Sequence, residues 1–314
     1  MKQWGRTSCA SLLLLALALP VAAAMPWPSR ELRDRETGAV EGVAFSADGI
    51  FLASADNGGT VLVRMFPGPR SFAKLQGNSF TEVVWSADGE ALVAGGMDGL
   101  VYVWRRPLGE MVRALPYDAP VQAVAVDPNG VIYAAGGGDW SIRRWLLPKL
   151  EQLPPLRGHT DDVYAVRVGP GGTIASGGKD RMIRIWDASG RQSRTIRGRD
   201  DSINDLAFSP DGTLLASAYG DGTVALWNTH TWRLDRLMPG PSRGVRDLAV
   251  SPDGRWLAGA GFDHQVWIWA LGDTIPAQPL PGHRLEVNCV AFSPNSRWLA
   301  SAGSDTTVRL WTVP

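Results

Sequence analysis

The chain has 314 residues, 31 basic and 31 acidic side chains, and an apolar content of 45%. That length admits one large all-β domain or two average domains, and the composition suits a globular protein rather than a membrane bundle. The balanced charge, with no basic tail or patch, argues against nucleic acid as a partner.

The first segment reads as a secretory signal peptide. Lys2 and Arg6 form a basic start, residues 10 to 19 a short apolar core, and Val21-Ala22-Ala23-Ala24 an A-x-A-type cleavage site. Only about 16 largely apolar residues separate Arg6 from Pro26, fewer than the roughly 20 needed to span a bilayer. Cleavage after Ala24 is therefore expected, giving an exported, periplasmic or envelope-associated protein with no transmembrane span. It leaves 29 basic residues against 31 acidic, and leaves Cys289 as the one cysteine. No disulfide within the chain is then expected and no disulfide-linked partner is required. Cys289 lies in an apolar strand pattern, which suits a small core residue better than a nucleophile.

Beyond this segment a unit of 40 to 42 residues recurs seven times, its last aromatic position falling at Arg64, Trp104, Trp145, Trp186, Trp227, Trp269 and Trp311. A fixed period of that size means one supersecondary unit copied around a ring or along a stack. In the seventh copy, Val287 to Phe292 is a predicted strand, Ser293-Pro294-Asn295-Ser296 a turn, Trp298 to Gly303 a second strand and Thr307 to Trp311 a third. Earlier copies add a polar fourth strand, such as Arg194-Thr195-Ile196-Arg197, so each unit is a four-stranded antiparallel meander. The first turn repeats as Ser-Ala-Asp-Gly at 46–49 and 86–89, and as Ser-Pro-Asp-Gly at 209–212 and 251–254. These aspartates read as turn-formers, because a calcium loop needs carboxylates at alternate positions. Glycine and alanine dominate the second strands, which predicts close approach between sheets. Of fourteen tryptophans, Trp85, Trp104, Trp145, Trp186, Trp227, Trp269 and Trp311 hold repeated strand positions and are expected in the core, while Trp140 and Trp232 are freer for surface contact.

Gly158-His159, Asp180 and Ile185-Trp186-Asp187 resemble a WD40 repeat, and the resemblance covers residues 30 to 314. Gly-His recurs at 282–283, whereas Trp-Asp occurs only at 186–187, and the first copy departs most, with Arg64 in place of the aromatic. The resemblance implies an all-β, seven-bladed WD40-type β-propeller. Its expected organisation is a signal peptide at 1–24 followed by one propeller domain at 25–314. The chain stops after the third strand of copy seven, so residues 29 to 35 are predicted to supply the outer strand of the last blade.

His159, Ser176 and Asp180, and equally His283, Ser301 and Asp305, have the residue types of a hydrolytic triad. The resemblance implies instead a structural network within a blade, completed by Trp186 and Trp311, and two copies suit a repeated structural bond. No catalytic residue is assigned. His230 and His264 are too scattered for a zinc or copper site, and neither a metal nor another cofactor is expected. By position, the resemblance implies a partner-binding disc face holding Glu41, Thr81, Met97, Gln122, Asp162, Tyr164, Lys179, Ser202, Asn204, Arg246, Phe262, Glu286 and Asn288. Its mixed apolar and charged character suits a protein or peptide partner. The expected function is a non-catalytic scaffold of a periplasmic or envelope complex. The alternative is a ligand- or metal-binding propeller, an enzyme included, that uses the central channel.

Overall fold

The structure, a computed structural model, describes residues 27–32, 36–68, 71–108, 111–272 and 276–314. The expected signal peptide and its cleavage site lie outside the described residues. Among those described, twenty-eight strands form seven four-stranded antiparallel sheets, the blades. Blade 4 shows the plan: Val163–Val168 innermost, then Ile174–Gly178, Met182–Trp186 and, outermost, Gln192–Arg197. The other inner strands are Val40–Phe45, Phe80–Trp85, Val121–Val126, Ile203–Phe208, Val245–Val250 and Val287–Phe292. Each touches the next, and the seventh returns to the first, so the ring is closed around a channel.

Closure follows the strand count. Ser29–Leu32 pairs antiparallel with Val308–Thr312, setting Ser29 opposite Trp311 and Leu32 opposite Val308. Residues 33–35, the rest of the expected closing strand, lie outside the described residues. Just before the strand, Trp27 is buried edge-on against Trp256, with ring centroids 5.5 Å apart.

The core is seven apolar clusters wedged between adjacent blades rather than one central mass. Small residues in the second strands make that possible. A Cβ on Gly95 would come within 2.7 Å of Val121 in the next blade, and one on Gly177 equally close to Ile203. All seven repeat tryptophans lie inside these clusters, six at the expected third-strand position and Trp85 at an inner-strand end; Arg64 takes the third-strand place in blade 1. Trp140 is exposed as expected, but Trp232 is not free: it packs on the cluster holding Trp227.

In the Ser-x-Asp-Gly turns the aspartate is an acceptor and only the glycine is left-handed. Ser46 Oγ donates to Asp48 Oδ1 at 2.5 Å, the Ile50 N–H donates to the same oxygen at 2.9 Å, and Gly49 has φ +70°. Asp88 is lowered below its ordinary range by the same bonds, from Ser86 first and then from the Glu90 N–H.

Candidate functional site

In all seven inner strands the pairing register slips between the first and third residues. Such a bulge re-aims the extra side chain. The bulge residues are Glu41, Thr81, Gln122, Tyr164, Asn204, Arg246 and Asn288, and all seven line a channel of about 820 Å³. Met97 and Phe262, from turns after the second strands, complete the same mouth. The structure thus gathers eight of the eleven principal face residues: Glu41, Met97, Gln122, Tyr164, Asn204, Arg246, Phe262 and Asn288, joined by Thr81. Asp162, Lys179 and Glu286 do not line the channel. The Asp162 and Glu286 carbonyls accept the N–H groups of Lys179 and Ser304, both at 2.9 Å. The Lys179 ammonium lies 3.3 Å from Asp161, and Ser202 is likewise outside the lining.

Several polar mouth residues tie one blade to another. Thr81 Oγ donates to the Val121 carbonyl at 2.8 Å, Asn204 Nδ2 to that of Val245 at 2.8 Å, and Asn288 Nδ2 to that of Val40 at 3.0 Å. Arg246 donates to Glu41 at 2.7 Å and to Asn288 Oδ1 at 3.1 Å. Burial pushes the Glu41 carboxyl up, and the Arg246 charge only partly opposes it. What stands over this tied rim is apolar or aromatic: Met97, 46% exposed, with Tyr164 and Phe262 half-buried.

One residue deeper lies a layer the sequence reading missed. Glu82, Asp205 and Asp247 occupy the third position of their inner strands, and each reaches to the next blade. They accept the backbone N–H groups of Val124 at 2.7 Å, Leu248 at 2.8 Å and Val290 at 2.8 Å. Arg167, from blade 4, crosses the channel to all three, at 3.0 Å from Glu82, 2.7 Å from Asp205 and 3.3 Å from Asp247. A signal did exist. The fifth inner-strand position holds Ala44, Val84, Ala125, Ala207, Ala249 and Ala291 in the other blades, so Arg167 is the single charged departure. Cys289 shares the third position and is buried, which pushes its thiol up.

The His-Ser-Asp-Trp sets form two buried networks. In blade 7, His283 Nδ1 lies 3.1 Å from Asp305, and its Nε2 lies 2.8 Å from Ser301 Oγ, which accepts the Trp311 indole N–H at 2.8 Å. Because the carboxylate only accepts, the network assigns the proton to Nδ1 and points the Ser301 hydroxyl at Nε2. Blade 4 repeats the set: His159 lies 2.9 Å from Asp180 and 2.7 Å from Ser176, and Trp186 donates to Ser176 at 3.0 Å. Burial pushes the Asp180 and Asp305 carboxyls up, but the hydrogen bonds they accept, from their histidines first, outweigh it and hold both well below the usual range. Burial also lowers His159. Both serines are fully buried, with the hydroxyl already committed to indole and imidazole, so neither is presented to a substrate.

Two further blades carry altered versions. In blade 5, Trp227 donates to Ser217 at 2.9 Å, and Ser217 bonds the Tyr219 hydroxyl at 3.1 Å instead of a histidine. In blade 1, Glu36 stands at the histidine position and Arg64 at that of the tryptophan. They pair at 2.5 Å, both side chains 1% exposed, and Ser54 bonds each of them. Among the described residues, no group of three or more His, Cys, Asp or Glu side chains is placed to hold a metal ion.

The family model "WD domain, G-beta repeat" matches residues 28–63, 70–105, 150–187, 190–228, 232–270 and 275–312. Relatives include the nuclear distribution protein nudF of Aspergillus terreus (strain NIH 2624 / FGSC A1156), 33% identical over 150 residues, 48% of this chain and 29% of that protein. The periodic tryptophan protein 2 homolog of Dictyostelium discoideum is 29% identical over 180 residues, 54% of this chain and 19% of that protein. The anaphase-promoting complex subunit cdh1 of the same organism is 29% identical over 150 residues, 46% of this chain and 20% of that protein. The chain thus spans less than a third of the length of each of these three relatives. They correct one expectation: these are eukaryotic proteins, named for nuclear distribution and for the anaphase-promoting complex, and the periplasmic or envelope placement drawn from the N-terminus does not stand. With the model matched over more than half its length and its seven blades closed into a ring, the chain belongs to the WD40 repeat family.

Proposed function

We propose that this protein is a non-catalytic interaction scaffold whose channel-mouth face docks a segment of a protein partner in a multi-subunit assembly. The working unit is a single propeller domain, residues 25–314. The observation that carries this reading is the mouth itself, where Met97, Tyr164 and Phe262 rise over polar groups already bonded between blades. A rigid polar rim under adaptable apolar and aromatic side chains is the make-up of an interface anchor. The relative named as a subunit of the anaphase-promoting complex supports the same class of role. Asp162, Lys179 and Glu286 then serve as outer contacts, where charge steers encounter more than it adds affinity.

A triple variant, Met97→Ala/Tyr164→Ala/Phe262→Ala, tests this by co-purification from the source cells. Unchanged thermal unfolding with loss of a stoichiometric partner is the expected result. Retention of that partner at wild-type stoichiometry would contradict docking at the mouth.

A further inference from the structure

The Arg167 cluster sets one cation against three carboxylates inside the channel. Arg167 Nη2 lies 2.7 Å from Asp205 Oδ1 and 3.3 Å from Asp247 Oδ1, so the two aspartates converge on one nitrogen. Their other oxygens hold the Leu248 and Val290 N–H groups, which fixes both carboxyls in place. Glu82 meets the same guanidinium through its other terminal nitrogen, Nη1, at 3.0 Å. The Asp205 side chain is 3% exposed, so water does little to screen the excess negative charge.

We propose that the channel holds one proton shared between Asp205 and Asp247 at neutral pH, and that its release loosens the ring across blades 4 to 7. With the proton in place, one carboxyl donates to the other while both keep Arg167 and their backbone N–H groups. Without it, two adjacent carboxylates and Glu82 repel one another around a single guanidinium, and the contacts between blades 5 and 6 and between 6 and 7 bear the strain.

The surroundings point the same way. Burial pushes Asp205 well above the carboxylate range; Arg167 opposes that, and the charge of Asp247 and a hydrogen bond with it push further up. Burial also raises Glu82 against the pull of Arg167. Of the other charged and titratable groups facing the cluster, Arg246 and Glu41 neutralise each other, with Glu286 near Glu41. Tyr164 and the Cys289 thiol are both raised by burial. The inner strand of blade 3 brings no titratable side chain to the channel, its lining residues being Gln122, Val124, Ala125 and Val126. The sign follows from linkage. A carboxyl raised in the folded chain contributes stability that is complete below its unfolded value and lost as pH rises through its folded value.

Asp205→Asn removes one of the two titrating carboxyls: its Oδ1 can still accept the Leu248 N–H, while its Nδ2 replaces the oxygen that meets Arg167 and can donate to Asp247. Urea midpoints of the wild type should fall as pH rises above the ordinary carboxylate range, approaching a tenfold loss of folding constant per pH unit while the folded chain alone holds the proton and levelling off once it leaves. The variant should lose the one-proton share of that slope and keep only what the other raised carboxyls, Glu41 and Glu82 among them, contribute. Infrared spectroscopy should show a protonated-carboxyl stretch in the neutral wild type that Asp205→Asn removes. Should that variant not fold, Asp247→Asn reverses the donor and makes the same prediction. A neutral wild type without the infrared band, or with a band unchanged in the variant, overturns the proposal, as does a pH slope undiminished in either folded variant.

Discussion

Arg64 and Glu36 show how a single repeat changes its chemistry without changing its shape. Where blade 7 puts Trp311 and His283 on Ser301, blade 1 puts an ion pair on Ser54, both side chains 1% exposed. Burying a charge pair is tolerable only while both partners remain. Arg64→Met should therefore cost about 3–5 kcal/mol by urea denaturation, because Glu36 is left buried and charged. Protonation limits that loss, so it should grow with pH; burial already raises Glu36 against the pull of Arg64. The double variant Glu36→Gln/Arg64→Met should recover most of the loss, and a double variant no better than Arg64→Met would show that the pair is not the reason. Arg64 was legible in the sequence as a departure from the repeat. Glu36 was not, because it lies 28 residues away and reads as loop until the fold sets it at the histidine position.

The closing strand is the element on which the ring depends. Ser29–Leu32 supplies four residues of pairing to Val308–Thr312, and Trp27 seats it by filling the cluster between blades 6 and 7. Trp27→Ala should cost about 3–5 kcal/mol, the usual range for removing a large buried aromatic. It should also widen the thermal transition if blade 7 then opens before the rest. Unchanged urea midpoints would mean that pairing alone closes the ring. Counting strands was enough to expect this closure, since a meander lacking its outer strand needs one from elsewhere. Trp27 carried no such signal, because an isolated aromatic outside the repeat has no period to place it. The inner-strand bulges were also hidden: alternation predicts two faces of a strand, and the bulge adds a residue aimed at neither.

Across the whole molecule, the period of 40 to 42 residues was sufficient for the fold, since seven meanders with small second strands pack as wedges around an axis. The mouth could be placed by repeat position, and eight of its eleven principal residues do converge on one channel. The charged layer beneath it could not. Glu82, Arg167, Asp205 and Asp247 come from four blades; Arg167 stands out by its repeat position, but nothing in the sequence names its partners, and the three acids read as ordinary polar residues in half-buried strands. Only ring closure sets three carboxylates around one guanidinium. The result is a disc whose centre is fixed by ties between blades, while Met97, Tyr164 and Phe262 remain available above it.

Site-specific photo-cross-linking in the source cells separates that face from the rest of the surface most directly. A photoreactive residue is placed at Met97 or Phe262, and in a parallel chain at Leu234 on the outer strand of blade 5, which is 46% exposed. Scaffolding through the mouth predicts one and the same protein captured from Met97 and Phe262, and not from Leu234. Capture of that protein from Leu234 alone, or of none from either mouth position, would contradict it.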